Sequence, residues 1–574
     1  MKVITFFHFP VIVWAHKQVS FHCIHKMLWG GLRPIHSRFC LDFITLVALV
    51  YATYSRSNGL IILLLLSASV ITFSTSGLTK RWTISFPLIL IIVIQTLRLL
   101  CLEESQSQSQ NGDNKSFNWW AQLLIRIIST LSIVLSAAMS ILFPAVEISQ
   151  PKGKYDVGVI DLYLPVKFDG EKRKLYPFDM NPKENTDTLD GFVSARLLYP
   201  TLDCVDSLPH LNKDTAKEIC KSFVVHASPA KSLSWLLDNW QLSTIRAKRN
   251  AQPIQRTFSE ENSTVKTCDK LPVVVFSHGL LGNTDIYSYQ CMSLASNGSL
   301  VITVNHTDGS AVGMRKKDGS FLPYDPSLLP LFAKDKIKYT HARRSQTDHR
   351  SSELIAATKA ILQLNKRNIP ELDELGISFV DKIDVSQVAV GGHSFGGATA
   401  LTTAARNPEL YSCIIAHDPM CDWMTDDARK NMFGKKRFQG SYLEYDGGTG
   451  GYETDHIRNS NDGEVKEENV LIHDLDMLFL YSHEWKKDGS GHYPYVSDMF
   501  RRGKIGPKHN NRSECVFIQH AHHSEFSDVN MKIPLWLGRA TGTTGQRNPH
   551  ETAEEIADRT CDFMKQVLLK KKAT

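Results

Sequence analysis

One stretch, Val388 to Leu401 (VAVGGHSFGGATAL), limits what this chain can fold into more than any other. A β-branched run from Val385 to Val390 ends in glycines. After Gly392-His393-Ser394-Phe395-Gly396-Gly397, the residues Ala398, Leu401 and Ala404 recur at helical spacing. The order is strand, tight turn, helix, which is the context that gives a G-x-S-x-G sequence chemical meaning. A serine at such an elbow is held in strained backbone geometry, and Gly392 and Gly396 are needed where a side chain would collide with the adjoining strand and helix. Ser394 then projects its hydroxyl above a sheet as a nucleophile, with Gly392, His393, Gly396 and Gly397 forming the elbow around it.

The flanking segments supply that sheet. Leu271 to His278 and Leu300 to Asn305 are apolar runs of the kind buried in parallel sheets, and Tyr287 to Asn297 between them reads as a helix. Val157–Val166 and Val193–Tyr199 read as leading strands, Leu475–Tyr481 and Cys515–Gln519 as closing ones. Strand, helix, strand at this spacing means an α/β fold with a mostly parallel sheet. His306 to Ala342 reads as a long loop before a helix with Leu354, Ala357, Ile361 and Leu364 on one face. Asp308 in that loop reads either as a substrate contact or as a solvated surface residue.

A serine nucleophile needs a histidine base, and the base needs a buried carboxylate, in the chain order Ser, Asp, His for a sheet of this kind. Asp418 follows the apolar run Cys413–Ala416, at a strand's C-terminal end, where such sheets deliver catalytic groups. Asp422 is its rival. His520, His522 and His523 follow the last strand, and position alone does not choose among them. Three histidines within four positions invite a metal, but no Asp, Glu or Cys set at ligand spacing completes a site, so neither metal nor cofactor is expected. Phe276-Ser277-His278-Gly279-Leu280 ends another strand, and the amides of Leu280 and Phe395 are the expected oxyanion donors.

The first 150 residues have another character. Leu60–Gly77 carries no charge and Trp82–Leu102 carries only Arg98, each long enough to cross about 30 Å of hydrocarbon. With Leu41–Tyr54 and Trp119–Val146, three or four transmembrane helices are expected over residues 1–150, and a catalytic domain over 151–574. Lysines and arginines flank the region on both sides, which places both flanks in the cytosol if the number of spans is even. Asp426 to about Val470 reads as a long polar insertion. The net charge of +6 comes from 65 basic residues without a basic stripe, which does not suit nucleic acid. Eleven cysteines without a C-x-x-C pair suit neither a zinc site nor a dense disulfide framework.

Taken together, FSHGL at Phe276, GHSFGGAT at Gly392, IAHDPMCDWM at Ile415 and HHSEFSD at His522 make the chain from about Asp156 onward resemble the platelet-activating factor acetylhydrolases. DLYLP at Asp161 and ARLLYP at Ala195 add weaker support. The resemblance implies an α/β-hydrolase fold and a calcium-independent serine esterase acting on the sn-2 acetyl, short or oxidised acyl ester of glycerophospholipids. The family's His-x-x-Phe-x-Asp pattern matches His523, Phe526 and Asp528, which selects His523 as base. The same resemblance supports Asp418 while leaving Asp422 in play, and puts an oxyanion donor on Leu280. It implies a phospholipid as substrate. The 426–470 insertion and the apolar N-terminal region depart from the family.

Overall fold

The computed structural model describes residues 146–167, 190–225, 240–254, 270–433, 475–488, 493–503, 505–507 and 511–569, with scattered positions between 93 and 134. The chain divides into two compact units, one of residues 1–148, 209–244 and 532–534, the other of 149–208, 245–531 and 535–574. In the first, helix α1 (Ala216–Val225) carries Phe223, whose ring meets Trp240 edge to face at 5.7 Å, and Glu147 bridges Thr244 in parallel. Among the described residues no helix is long and apolar enough to cross a membrane. Of the segments expected to span one, Leu41–Tyr54 and Leu60–Gly77 lie outside the described residues, Trp82–Leu102 lies outside them but for Val93, and Trp119–Val146 is described only at scattered positions.

The second unit is built on a ten-stranded sheet. Its first strands, β1 (Asp156–Lys167) and β2 (Asp190–Thr201), pair antiparallel along their full length. Two further strands, β3 (Asp206–Pro209) and β4 (Thr244–Arg249), complete that edge. Then follow β5 (Leu271–Ser277), α2 (Ser288–Ser296) and β6 (Leu300–Asn305). A hairpin of β7 (Gly313–Arg315) and β8 (Phe321–Pro323) stands apart from the sheet. After it come α3 (Lys336–Gln363), β9 (Ile383–His393), α4 (Phe395–Arg406), β10 (Cys413–His417) and α5 (Asp426–Phe433). The chain closes with β11 (Asp476–Ser482), α6 (His483–Asp488), β12 (Glu514–Ile518) and α7 (Pro549–Met564). The spatial order is β12-β11-β10-β9-β5-β6-β2-β1-β4-β3, parallel from β12 through β6.

Burial explains why these runs are strands. Every residue of β5, β6, β10 and β11 is buried, so they read as continuous apolar segments rather than alternating ones, as parallel strands covered on both faces must. Helix α4 is likewise buried from Phe395 to Ala405. Phe395, Leu401, Val390 and Phe479 lie in one apolar core with these strands.

One expectation needs correction. The segment 306–342 is not one open loop: it contains the β7–β8 hairpin and a short helix, Leu329–Lys334, and α3 begins already at Lys336, capped by the Asp335 side chain accepting Lys338 N–H. The polar insertion likewise begins as a helix. Helix α5 is held by ion pairs Arg344–Asp426 and Arg406–Asp427, and residues 434–474 lie outside the described ones.

Candidate active site

Strand β9 runs directly into helix α4, and Ser394 is the hinge between them, at φ 57° and ψ −116°. That is forbidden ground for most side chains, and it is maintained because the surroundings leave no alternative. A Cβ on Gly396 would lie 2.0 Å from Ser277 O, and one on Gly392 would lie 2.3 Å from Gly396 O. Ser394 N–H donates to His417 O (2.8 Å) and its carbonyl accepts Met420 N–H (3.0 Å), tying the elbow to the end of β10.

Three sequence-predicted residues meet above the sheet. Ser394 Oγ lies 3.0 Å from His523 Nε2, and His523 Nδ1 lies 2.9 Å from Asp418 Oδ2. Asp418 is fully buried just beyond β10, with φ 38°, and its second oxygen accepts Ser482 N–H from the end of β11 at 2.7 Å. Burial raises the carboxyl's pKa, against the opposing pull of His523 and Ser482. With Oδ1 engaged by an amide, Oδ2 is left to accept the Nδ1 proton, which presents the Nε2 lone pair to the serine hydroxyl. Asp422 sits in the next turn, Cys421–Trp423, where its carbonyl accepts Arg344 Nε–H at 3.0 Å.

The other two histidines point elsewhere. His522 Nε2 pairs with Glu484 at 3.1 Å, and the His520 ring stacks on His483 at 5.5 Å. What turns His523 toward the elbow is the short helix His523–Phe526: Glu525, buried beneath it, accepts His522 N–H at 2.6 Å, and Glu484 accepts His523 N–H at 2.9 Å. Burial raises the Glu525 pKa to about 7.

The oxyanion turn is equally fixed. Gly279 N–H donates to the Tyr287 hydroxyl (3.0 Å), Leu281 N–H to Ser310 O (2.9 Å) and Gly282 N–H to Gly279 O (3.0 Å), and the Leu280 amide is used in none of these bonds. Phe395 is the first residue of α4, where backbone N–H groups lack intrahelical acceptors. Since Tyr287 accepts from Gly279, its own proton turns to His393 Nδ1 at 2.9 Å. His393 is buried, and burial, then His523 and His417, hold its pKa well below the usual range, so this elbow residue stays a neutral ring.

Sequence reasoning missed the residues behind this turn. Arg350, fully buried on α3, donates to His278 O at 2.7 Å and lies over the Phe395 ring at 4.2 Å, so one guanidinium touches the turn that leads to Leu280 and the side chain of Phe395. Burial lowers its pKa only to about 10, so it remains a cation at neutral pH. Its acidic neighbour at 3.6 Å is Asp308, fully buried, whose other oxygen accepts the Ser310 amide and hydroxyl. Asp308 is therefore neither solvated nor open to a substrate in this structure. Ser277 Oγ–H, His306 and Glu353 form a second buried string, at 2.8 Å and 2.8 Å, beneath the same turn. Among the described residues, His393, Asp418 and His523 are the group close enough to hold a metal ion, and two of its three members are already paired with each other.

A serine on a strand-to-helix elbow, with an acid at the end of the next strand and a histidine after the last, on a mostly parallel sheet, defines an α/β-hydrolase-like protein. Within that class the resemblance read from the motifs holds: residues 229–433 match the family model of platelet-activating factor acetylhydrolase, isoform II. That span contains Leu280, Ser394, Phe395 and Asp418, and His523 falls beyond it. The chain is 35% identical over 176 residues to the platelet-activating factor acetylhydrolase of Canis lupus familiaris, covering 29% of this chain and 39% of that protein. It is 33% identical over 181 residues to that of Gallus gallus, covering 29% and 42%, and 29% identical over 168 residues to a putative phospholipase A2 of Schizosaccharomyces pombe, covering 26% and 38%. The matches thus span about two fifths of these relatives' length. Among solved structures, a ferulic acid esterase from Streptomyces cinnamoneus superposes with a TM-score of 0.42 at 15% identity, over 74% of this chain and 93% of the other. That likeness is too weak to add to what the strand order shows.

Proposed function

We propose that this protein is a calcium-independent serine hydrolase of lipid esters, cleaving the sn-2 acetyl, short or oxidised acyl group of a glycerophospholipid. The observation that carries the reading is the unbroken string Ser394 Oγ, His523, Asp418, Ser482 N–H at the elbow. The family match and the similarity to acetylhydrolases and a putative phospholipase A2 support the substrate class. His523 takes the Ser394 proton, the serine oxygen attacks the sn-2 carbonyl, and the amides of Leu280 and Phe395 receive the oxyanion. Lyso-lipid leaves with the proton returned by His523. Water, activated by the same imidazole, then frees the acid. No step calls for a cofactor. The N-terminal spans, which rest on the sequence alone, would anchor the cytosolic site at the membrane that holds its substrate.

The test is hydrolysis of 2-acetyl and 2-palmitoyl glycerophosphocholines, in chelator, by the full chain and by Ser394→Ala. Acetyl turnover that vanishes in the variant, with little on palmitoyl, is the expected result. Turnover of simple esters but of neither phospholipid would favour a general short-chain carboxylesterase, and silence on every ester would favour a receptor or scaffold.

A further inference from the structure

We propose that Trp485 is a positioning residue for the general base: its indole holds the His523 imidazole in register and stabilises the imidazolium formed whenever that ring takes a proton. The inference rests on the reading of Ser394 and His523 given above and adds a residue to it.

The geometry is specific. Helix α6 leaves β11 immediately after Ser482, the residue whose amide holds Asp418. Two residues on, Glu484 accepts the His523 backbone N–H. At the third, the Trp485 ring lies parallel to the His523 ring, 7° between planes and 4.1 Å between centroids. Trp485 is itself buried, at 6% exposure, and packs with the core, so the face it presents is fixed rather than adaptable. One segment, Ser482 to Trp485, thus grips the acid, the backbone of the base and the face of the base.

An aromatic face attracts a cation more strongly than it attracts a neutral ring, so this stack favours the imidazolium over the imidazole. His523 also meets His393, ring centroids 4.6 Å apart. His393 is the neutral ring described above, so it adds no opposing charge. The titratable groups facing His523 are then Asp418 beyond β10, His393 on β9, Ser394 at the elbow, Glu484 on α6, and His522 and Glu525 on its own turn. Of these, only Asp418 bonds to an imidazole nitrogen as an acid, and Glu484 reaches the backbone. The indole therefore supplies a share of imidazolium stabilisation that no carboxylate supplies, without adding a charge whose own titration would complicate the base.

The proton path is unchanged by this assignment. In the reaction with a fluorophosphonate, Ser394 Oγ bonds to phosphorus, the P–F bond breaks with fluoride leaving, and the hydroxyl proton passes to His523 Nε2. The rate of that labelling reports the base directly, and mass spectrometry locates the label.

The experiment compares the pH dependence of labelling at Ser394 in the unaltered chain, in Trp485→Phe and in Trp485→Leu, with thermal midpoints measured alongside. Loss of the aromatic face lets the ring release its proton at lower pH. In Trp485→Leu the acid limb should therefore move down by about 0.5–1 pH unit, and the plateau rate should fall about three- to tenfold. Trp485→Phe, which restores a π face, should keep the wild-type limb. A limb unmoved in Trp485→Leu while its thermal midpoint falls would overturn the proposal, since a purely structural tryptophan would behave that way. If Trp485→Leu does not fold, Trp485→Met, which fills more of the space without a π face, takes its place and the same two results decide. Absence of labelling at Ser394 in the wild type at every pH would overturn the reading of the nucleophile, and this proposal with it.

Discussion

Replacing Asp418 by Asn separates catalysis from stability. Asp418 uses one oxygen for Ser482 N–H at 2.7 Å and the other for His523 Nδ1 at 2.9 Å, and both neighbours donate. Asparagine offers one accepting oxygen. If that oxygen stays with the Ser482 amide, which cannot change its proton, the side-chain NH2 faces His523 and selects the tautomer protonated on Nε2. That ring presents a donor to Ser394 and cannot accept its proton. The expected loss in kcat is about ten-thousand-fold, or roughly 5.5 kcal/mol of transition-state stabilisation. Stability should move the other way. Burial raises the Asp418 pKa in the folded state, so the native protein holds this proton more tightly than the unfolded chain does. Stability from this group is then present at low pH and is lost as pH rises from the unfolded pKa through the folded one. At neutral pH the ionised group is a burden that asparagine removes. Steady-state hydrolysis of p-nitrophenyl acetate and urea unfolding at pH 7 measure the two effects, with Asp422→Asn as the companion expected to keep activity within a few fold. A Asp418→Asn enzyme within tenfold of wild type, or one crippled only because it unfolds, would refute the reasoning.

Glu525→Gln should remove a pH dependence of stability. Its carboxyl rises from 4.5 to about 7 on burial, so the wild type loses stability between these values as pH increases, by at most about 3 kcal/mol, and the variant should show a smaller drop in urea midpoint from pH 5 to pH 8. Gly396→Ala places a methyl 2.0 Å from Ser277 O, where backbone must shift, and should cost about 3 kcal/mol or more, read as a lowered thermal midpoint or lost soluble yield. Arg350→Lys keeps the charge but not the planar fork that reaches His278 O, and should lower kcat about ten- to a hundredfold with KM little changed, in protein whose circular dichroism is native.

What the sequence makes legible follows from how local each constraint is. The elbow is readable because its signature lies within six residues: a strained serine flanked by glycines marks the turn even though part of the crowding that demands those glycines comes from Ser277 on a neighbouring strand. Asp418 is readable for a related reason, since a short apolar run ending in an acid puts that acid at a strand's end. The base is not readable by position, because His520, His522 and His523 all follow β12 within one turn. Which ring faces Ser394 depends on Glu525 below the turn and on Glu484, which approaches from a helix 39 residues away in sequence. The place of Asp308 is hidden for the same cause: a charged residue in a polar segment looks solvated until its partner Arg350, on a different element, is known. The start of α3 is a different failure, because its signal was present. Asp335 stands where a helix cap belongs, but the polar run after it, KIKYTHARR, hid a helix whose buried residues include Tyr339 and Arg343. Arg343 is buried without lying on an apolar stripe, its guanidinium over the ring of Tyr339 and near those of Trp423 and Phe395. Hydrophobic periodicity cannot find a face made of arginine and aromatic rings, so the helix most involved in supporting the oxyanion turn is the one that pattern reading truncates.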